Sequence, residues 1–361
     1  MQTTSSTRAS IVPYITVGIF VLCIFAFIKA AETETTSLLC PNGEAPVRIT
    51  VLGDLLIGSG APWRQIESED FAPTILGRFR AAFAQSDITF MNYEGIIASG
   101  GVAREKGLPK SFSLRTPPAI EDFLSFFPGL VISFANNHAA DFGFIGIDET
   151  LTHFTHSNIS LVGIGENEKE AIEPRIVRHG GVRVAFLGFT DLLPYTYYAR
   201  EDQRGIAKLT EENLARSIKQ AQEMADIVIV ALHTAEHVGG TSTDAPDAHQ
   251  IRLSQRAVEF GADVVVNSHP HTLQTVEWYN GALIAHSLGL FLYDPSVAGR
   301  YKPDESLYAG TRFDGGGILS LSVCVEGIRS YTLTPTRVVD TPRLQVVEDM
   351  RQPIRARQFT L

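Results

Sequence analysis

Short apolar runs rich in β-branched residues alternate along most of this chain with longer amphipathic stretches. The runs that predict strands are Val47–Leu52, Ile88–Met91, Val131–Phe134, Val182–Leu187, Ile227–Leu232, Val264–Val266 and Ala282–Ala285. The stretches that predict helices are residues 70–85, 118–126, 143–158, 210–225 and 248–260. Residues 311–337 predict a closing strand or hairpin. A chain in which strands and helices alternate in this way folds into a layered α/β domain with a largely buried sheet.

The composition agrees with a globular domain and argues against nucleic acid as a partner. Hydrophobic residues make up 44% of the 361 residues, which is enough for a sizeable core. The 40 acidic and 30 basic side chains give a net charge of −10, and the chain has no dense run of Lys and Arg, so we expect no nucleic-acid binding. The same negative charge repels an anionic polymer, so binding one requires bound cations or a local basic patch.

An apolar segment near the N-terminus predicts a membrane anchor. Residues 11–31 begin with an uncharged stretch up to Ile28, which is close to the ~20 residues that cross a bilayer as a helix. Arg8 precedes the segment and acidic residues follow it, which favours a cytoplasmic N-terminus of residues 1–10. We therefore predict a single-pass protein of the cell membrane with its domain outside the cytoplasm. A signal peptide cleaved near Ala31, and hence a secreted domain, is the alternative.

The remaining chain divides by composition into a linker, a domain and a tail. Residues 32–45 are rich in Thr, Ser and Glu and predict a linker. The domain is predicted to span residues 46–340, and residues 341–361 are predicted to form a polar C-terminal tail. Cys40 and Cys324 could form a disulfide in an exported domain, because disulfides persist in oxidising compartments. The three cysteines lack the paired spacing of a zinc site.

Nearly every predicted strand is followed, at its carboxyl end, by a residue able to bind metal. These residues are Asp54, Asn92, Glu94, Asn136, Asn137, His138, His233, His269, His271 and His286. The loops at the carboxyl ends of strands in an open α/β sheet share one rim, so residues that are distant in sequence can meet there. Carboxylates together with neutral imidazoles suit Mn²⁺, Fe²⁺ or Zn²⁺ better than Mg²⁺ or Ca²⁺. The pattern predicts a site for one or two divalent metal ions at this rim.

Individual members of this set also have ordinary structural interpretations. Asp54 could belong to a turn or cap a helix, and a single His at a strand end usually makes a structural hydrogen bond. The agreement of five separate loops favours the metal site, and His237 could also belong to it. In the triplet His269–His271 the central proline favours extended geometry in the residue before it, which would direct both imidazoles to one side.

Short blocks of sequence also follow one another in a specific order. They are Gly53-Asp54, Asn92–Gly95, Ala135–His138 with Asp141–Gly143, Gly163–Asn167, His233, Gly261–Asp263, Ser268–His271 with Gln274, and Ser287–Gly289 with Phe291. In these blocks the chain resembles the CapA family of poly-γ-glutamate capsule biosynthesis proteins, which is part of the calcineurin-like metallophosphoesterase superfamily. The resemblance covers about residues 46–340. It implies a four-layer αββα sandwich, in which helices flank two mixed sheets and a metal centre lies at the strand ends.

The resemblance also implies a role for each matching residue. The ligands of the first metal would be Asp54 and His271, those of the second metal Asn137, His233 and His269, and the residue bridging both Glu94. His138 would be the catalytic group that protonates the leaving oxygen or steadies the transition state. The residues that hydrogen-bond the ligands or the substrate would be Asn92, Asn136, His237, Gln274 and His286.

The chain departs from the superfamily pattern at several positions. Leu56 stands where the superfamily has a His, so one metal would lack a ligand, which is compatible with a single bound metal. Thr234-Ala235 replaces the usual Trp-Gly after the strand-end His, and His237 stands where an acid is expected. Leu290 replaces an Asn, which changes the geometry on the substrate side.

Two functions follow from the resemblance. The first is a membrane-anchored component of poly-γ-glutamate-type capsule biosynthesis or export whose domain is a metal-dependent, phosphoesterase-like hydrolase. It would act on a phosphoester or on an amide of an anionic polymer. The second is a non-catalytic subunit of a membrane polymer synthase or export complex with a degenerate metal site. The expected partners are the membrane, an anionic polymer such as poly-γ-glutamate and other capsule synthase subunits.

Overall fold

The computed structural model of the protein describes residues 39–58, 83–107, 112–236, 245–293, 315–339, 345–349 and 354–355. The predicted anchor, most of the predicted helix 70–85 and His237 lie outside these residues. Within them, no helix is long and apolar enough to cross a membrane. The chain divides into two compact units, Met1–Pro46 and Val47–Leu361. Cys40 in the first unit and Cys324 in the second are both buried and disulfide-bonded.

The second unit alternates strands and helices as the sequence pattern predicts. Its strands are β1 (Val47–Leu56), β2 (Ile88–Tyr93), β3 (Ile96–Ile97), β4 (Arg115–Thr116), β5 (Val131–Ser133), β6 (Ser160–Val162), β7 (Ile164–Gly165), β8 (Arg175–His179), β9 (Val182–Thr190), β10 (Gly205–Ile206), β11 (Ile227–His233), β12 (Val264–Ser268), β13 (Val276–Tyr279), β14 (Ala282–Ala285), β15 (Leu290–Tyr293), β16 (Gly315–Cys324), β17 (Gly327–Val339), β18 (Gln345–Asp349) and β19 (Ile354–Arg355). Its helices are α1 (Ile120–Leu124), α2 (Gly143–Phe154), α3 (Glu168–Ala171), α4 (Glu211–Met224) and α5 (Ala248–Phe260), with a 3₁₀ turn at Tyr195–Tyr197.

Most of the strands belong to two mixed sheets. The first has the order β15-β18-β17-β16-β1-β2-β5-β6, with β19 paired to β17. In it β1, β2, β5 and β6 are parallel, and β16 is antiparallel to β1. The second has the order β13-β14-β12-β11-β9-β8, with four parallel central strands and an antiparallel strand at each edge. Each parallel group therefore directs its carboxyl ends to one rim.

Side chains that alternate along the central strands hold the layers together. The core between the two sheets contains Val51, Phe90, Phe186 and Ile229, among others. The next residues along the same strands, Leu52, Met91, Leu187 and Val230, belong to the outer cores instead. Helices α1 and α2 complete the outer core of the first sheet, and α4 and α5 complete that of the second. The expected α/β sandwich with two sheets is therefore confirmed.

Local capping explains why the helices begin and end close to the predicted bounds. The Thr210 side chain accepts a hydrogen bond from the backbone N–H of Asn213 at the start of α4. Asp247 and Gln250 form a reciprocal capping box at the start of α5. Gly261, with φ +108°, ends α5, since a left-handed residue costs glycine little. The predicted helices 210–225 and 248–260 match these two elements closely.

The predicted polar tail is wrong in part. Residues 341–361 contain β18, which pairs antiparallel with both β15 and β17, and β19, which pairs with β17. The long strand β17 explains the difference, because it pairs with β16 on one side and offers unpaired backbone groups on the other. Short runs such as Gln345–Asp349 can add to that edge with little hydrophobic signal of their own.

Candidate metal centre

Six predicted ligands meet where the carboxyl ends of parallel strands from the two sheets face each other. The first sheet contributes Asp54 in β1, Glu94 after β2 and Asn137 after β5. The second sheet contributes His233 at the end of β11, with His269 and His271 after β12. Asp54 and Glu94 have no exposed surface, although a carboxylate is among the groups least often buried. Such burial requires compensating partners, which the opposite sheet supplies.

The ligand atoms form two adjoining groups. One nitrogen or oxygen from each of Glu94, His233 and His269 lies within 4.8 Å of the others. The same holds for Asp54, Glu94 and His271. Glu94 is the member that both groups share, in the position of the bridging acid that the resemblance implies. The assignment of each residue as a ligand stays a prediction.

Direct contacts connect the two sheets through these side chains. The Nε2 atom of His271 lies 2.7 Å from Oε2 of Glu94 and 3.8 Å from Oδ2 of Asp54. The Nε2 atom of His233 lies 2.8 Å from the side-chain oxygen of Asn137. The amide oxygen of Asn137 is therefore next to the group that contains His233 and His269, which is where the resemblance assigns it.

The donors fit a divalent cation. Oε1 of Glu94 is buried, and the described residues provide it with no hydrogen-bond partner. A buried carboxylate oxygen without a partner is costly, and a bound cation would compensate it. Carboxylate, imidazole and amide oxygen donors together are typical of divalent transition-metal sites. The residues present at this rim can therefore hold a divalent metal ion.

Burial and mutual charge set the protonation of the ligands. Burial, and then the charge of Glu94, raise the pKa of Asp54 to about 7. Burial would also raise the pKa of Glu94, but the charge of His271 and its hydrogen bond hold that pKa below its ordinary value. Burial disfavours the cationic form of His271, yet the charge and hydrogen bond of Glu94 raise its pKa to about 9. Burial lowers the pKa of His233 well below its ordinary value, so its imidazole is neutral, the form that binds metal.

The expectation of extended geometry at His269 is wrong. His269 has φ +105° and His271 has φ +56°, so both lie in the left-handed region that residues other than glycine rarely adopt. The backbone turns directly after β12, and the two imidazoles belong to different candidate ligand groups. The N–H of His269 also points at Oδ2 of Asp54, 3.4 Å away. Strained backbone of this kind costs ~1–3 kcal/mol per residue and persists where the surroundings enforce it, most often at functional sites.

Two asparagines hold the ligands in place. The side-chain NH₂ of Asn92 donates to Oδ1 of Asp54 at 2.8 Å and lies 3.3 Å from Nδ1 of His233. Asn136 donates to the side-chain oxygen of Asn92 at 3.2 Å and to the backbone oxygen of Tyr93 at 2.7 Å. Ser268 Oγ lies 3.2 Å from Nδ1 of His233. These bonds fix ligand orientation, as hydrogen bonds around metal sites usually do.

His138 lies beside the ligand groups within a network of its own. Its Nδ1 atom is 2.6 Å from Oδ2 of Asp141, and its Nε2 atom faces Oε1 of Glu94 at 3.8 Å. Lys106 Nζ lies 2.5 Å from Oδ1 of Asp141 and 3.1 Å from Nδ1 of His138. The ring of Phe112 stacks on the imidazole with a centroid distance of 4.9 Å. The Nε2 edge of His138 is thus directed to the ligands by three neighbours.

Three members of this network, Asp141, Lys106 and Phe112, are not among the predicted site residues. Asp141 belongs to the Asn-Asn-His-x-x-Asp block, and its position three residues after His138 was the available signal. Lys106 follows no predicted strand and lies in a loop that carries no periodic pattern. The sequence gives no signal for Phe112 either, because a lone aromatic residue is usually part of the core.

The other predicted residues have different surroundings. His286 bonds Glu277 of the neighbouring strand, with Nε2 to Oε1 at 2.8 Å. The side chain of Gln274 donates to the backbone oxygen of Ala245 at 3.0 Å. For both residues a role toward the substrate stays a prediction. Leu56 and Leu290, the two departures from the superfamily pattern, are buried together with Leu114 in a small apolar cluster.

Comparison with known proteins gives one consistent family. The model for the family described as bacterial capsule synthesis protein PGA_cap matches residues 48–295. The chain is 29% identical over 282 residues to the PGA biosynthesis protein CapA of Bacillus subtilis (strain 168), covering 78% of this chain and 72% of that protein. It is 27% identical over 310 residues to the capsule biosynthesis protein CapA of Bacillus anthracis, covering 83% of this chain and 74% of that protein. Among solved structures, a hypothetical protein from Thermus thermophilus has a TM-score of 0.49 and 15% identity, covering 81% of this chain and 99% of that chain.

Proposed function

The chain belongs to the bacterial capsule synthesis protein PGA_cap family, and from this premise we propose that it is a metal-dependent hydrolase of capsule polymer biosynthesis or export. Its substrate is a phosphoester, or an amide of an anionic polymer of the poly-γ-glutamate type. The observation that carries the proposal is the pair of ligand groups that share the buried Glu94. Burying a cluster of carboxylates and imidazoles destabilises a domain unless a bound cation compensates these groups.

The ligand set favours Mn²⁺, Fe²⁺ or Zn²⁺ over Mg²⁺ and Ca²⁺, because imidazole nitrogens outnumber carboxylates. Asp54 and His271 would hold one ion, His233, His269 and Asn137 a second, with Glu94 between them. A cation in this place would supply Lewis-acid activation of the bond to be cleaved. The centre suits one ion as well as two, since Leu56 offers no donor where the superfamily has a His.

The residues around the ligands support acid catalysis by His138. Asp141 accepts a hydrogen bond from Nδ1 of His138, which leaves Nε2 to give a proton to the leaving oxygen. The carboxylate of Asp141 stabilises the imidazolium that carries this proton, and Lys106 holds the carboxylate in place. Phe112 limits rotation of the imidazole by stacking on it. General acid catalysis of this type contributes roughly 10²–10⁴-fold in rate.

Metal analysis of the purified full-length chain in detergent tests the centre directly. We expect a stoichiometric transition metal and turnover of a generic phosphodiester with added Mn²⁺. Asp54→Asn and Glu94→Gln should lower both the metal content and the turnover, whereas His138→Asn should lower turnover by about 10²-fold or more and keep the metal. His179→Ala is the matched control, since this histidine is half exposed on β8.

A specific observation also favours the non-catalytic alternative. Leu56 and Leu290 put apolar side chains at two positions where the superfamily carries a His and an Asn. A folded chain that binds no metal and turns over no ester, but is still required for capsule polymer in cells, would replace the hydrolase by a subunit of a synthase or export complex. Complementation of a deletion strain by Asp54→Asn separates the two, because only a non-catalytic subunit tolerates this change.

For the location we propose a single-pass membrane protein whose domain lies outside the cytoplasm. The apolar residues 11–31 and the disulfide-bonded Cys40 and Cys324 support this, since disulfides persist in oxidising compartments. Alkaline phosphatase fused after Ala45 should be active, and the fusion should sediment with membranes. An inactive fusion would contradict export, and activity in the medium alone would indicate a cleaved signal peptide.

A further inference from the structure

A single surface turn carries two tyrosine rings that are covered by cations. In the 3₁₀ turn Tyr195–Tyr197, the Nζ atom of Lys208 lies 5.1 Å and the guanidinium carbon of Arg200 lies 5.8 Å from the Tyr195 ring centre. The guanidinium carbon of Arg104 lies 5.3 Å from the ring centre of Tyr197. Tyr195 is 65% exposed. We name these five residues the basic-aromatic surface.

This surface adjoins the candidate metal centre on two sides. The Nε–H of Arg104 donates to the backbone oxygen of Ala140, directly before Asp141, which holds His138. On the other side, Lys208 pairs through its backbone with Thr190. The hydroxyl of Thr190 in turn donates to the backbone oxygen of His233 at 2.7 Å. Arg104 therefore contacts the residue next to Asp141, which bonds His138. Lys208 pairs with β9, the neighbour of the strand β11 that carries His233.

The cations of this surface are free to meet an external anion. Within the described part of the chain, none of Arg104, Arg200 and Lys208 forms an ion pair with a carboxylate, whereas several other arginines, such as Arg183 and Arg256, do. The aromatic faces hold these side chains in place and so reduce the entropy lost on binding. In a chain of net charge −10, cations that form no ion pair with a carboxylate are the kind of group that an anionic ligand requires.

We propose that the basic-aromatic surface binds a linear polycarboxylate and leads it toward the metal centre. The inference rests on the proposed function, because it names where the anionic polymer lies beside that centre. Arg200 and Lys208 lie over the Tyr195 ring and Arg104 lies over the Tyr197 ring, so the three cations form a row along one turn. Such a row matches successive carboxylates along a chain better than a single small anion, which needs donors that converge.

Binding of a labelled poly-γ-glutamate oligomer to the full-length chain in detergent tests the surface. Fluorescence anisotropy at low salt should show binding that weakens as salt is added. The double variant Arg200→Gln/Lys208→Gln should bind about tenfold more weakly, because two fixed cations are lost. The control Arg178→Gln/Lys219→Gln removes the same net charge from exposed positions on β8 and α4, and should bind within about twofold of the wild type. Tyr195→Ala, which removes the ring and no charge, should weaken binding as well.

Two results would overturn the inference. Equal binding by the double variant and its control would show that the polymer responds only to the total charge. Competition by inorganic phosphate, with no dependence of affinity on oligomer length, would show a site for a small anion. Measuring each variant both in EDTA and in Mn²⁺ separates this inference from the proposed function. If Asp54→Asn loses phosphodiester turnover but the double variant still binds the polymer like the wild type, only the surface is rejected. If the double variant loses polymer binding but Asp54→Asn keeps its turnover, only the hydrolase is rejected.

Discussion

At the level of single residues, the network that holds His138, formed by Asp141 and Lys106, depends on a lysine buried against a carboxylate. The side chain of Lys106 is 11% exposed and its ammonium group contacts Asp141, which has no exposed surface. The carboxylate keeps two further partners, Nδ1 of His138 and the backbone N–H of Leu114 at 2.7 Å. Removing the lysine therefore weakens the pair without leaving Asp141 alone.

Lys106→Gln should lower the free energy of unfolding by about 2 kcal/mol near neutral pH. This is less than the ~3–5 kcal/mol lost when removal of one partner leaves the other charge of a buried ion pair without any partner. The pKa of Asp141 is lowered; burial would raise it, but His138 and then Lys106 outweigh that. An acid whose pKa is lower in the folded state contributes stability above its unfolded pKa of about 3.9, and this is lost as pH falls through the folded value. The difference between variant and wild type, measured by urea unfolding, should therefore shrink in acid. Lys219→Gln on α4 is the control and should change stability by less than ~0.5 kcal/mol.

The residue scale also shows what sequence patterns can and cannot find in such a site. Asp54, Glu94 and His233 were predictable because each directly follows a buried apolar run, whose end fixes the position in the fold. Lys106 was not predictable, because its place depends on how a loop folds back over the strand ends. The conformation of His269 was not predictable either, since demands from both sheets override the local preference before a proline.

At the level of elements, an aspartate precedes three of the parallel strands. Asp87, Asp226 and Asp263 stand directly before β2, β11 and β12. Each carboxylate accepts the backbone N–H of a residue in or beside the neighbouring strand, at 2.8 Å in all three cases. The backbone N–H of each aspartate in turn donates to the backbone oxygen of the residue whose N–H its carboxylate accepts. These aspartates set the register at the start of the strands.

Asp226→Asn should destabilise the fold near neutral pH, whereas Asp263→Asn should not. Hydrogen bonds from Arg183, working against burial, lower the pKa of Asp226, so its ionised form stabilises the fold above pH about 4. Burial raises the pKa of Asp263, so its ionised form is a cost that is present above the raised pKa and disappears below the unfolded value. Urea unfolding should show Asp226→Asn less stable and Asp263→Asn as stable as, or more stable than, the wild type. Destabilisation by both would contradict the argument, since both variants keep an oxygen for the backbone N–H.

The approach of β1 to the segment after β14 gives a further test at this scale. A Cβ atom on Gly53 would lie 2.2 Å from the backbone oxygen of Gly289, and the next N–H, that of Asp54, donates to the same oxygen at 2.8 Å. Gly53→Ala should therefore cost about 3 kcal/mol of stability and lower metal content, because it displaces Asp54. Gly281→Ala is the control, with φ +85° and open space around it, and should cost only ~1–2 kcal/mol in a calorimetric or urea measurement.

The elements themselves were largely predictable from apolar runs and caps, whereas their pairing was not. Phe186-Leu187 and Ile229-Val230 alternate between the inner core and an outer one, but because all four residues are apolar the sequence shows only a buried strand and not which face each residue takes. The strands in residues 341–361 were missed because an edge strand is selected by its neighbour's free backbone groups, which leave no mark on the sequence that joins it.

At the level of the whole molecule, the candidate metal centre is assembled only while the two sheets are packed together. Asp54 and Glu94 belong to the first sheet, and His233, His269 and His271 follow strands of the second. The unfolded chain separates these groups by up to about two hundred residues of sequence, so it cannot form the same site. A cation that binds the folded state alone adds its binding free energy to the stability of the sandwich.

Mn²⁺ at a hundred times its dissociation constant should therefore raise the free energy of unfolding by about 2.7 kcal/mol. This gain should decline as pH falls below neutrality, because burial and the charge of Glu94 raise the pKa of Asp54 to about 7 and a proton then competes with the cation. Without metal the sign reverses: ionised Asp54 is a cost above its raised pKa, and the cost disappears as pH falls toward the unfolded value of about 3.9. Urea unfolding with and without Mn²⁺ at pH 6 and pH 8 measures both slopes. Asp54→Asn should flatten each of them, and an equal gain from Mn²⁺ in this variant would mean that the cation binds elsewhere on the chain.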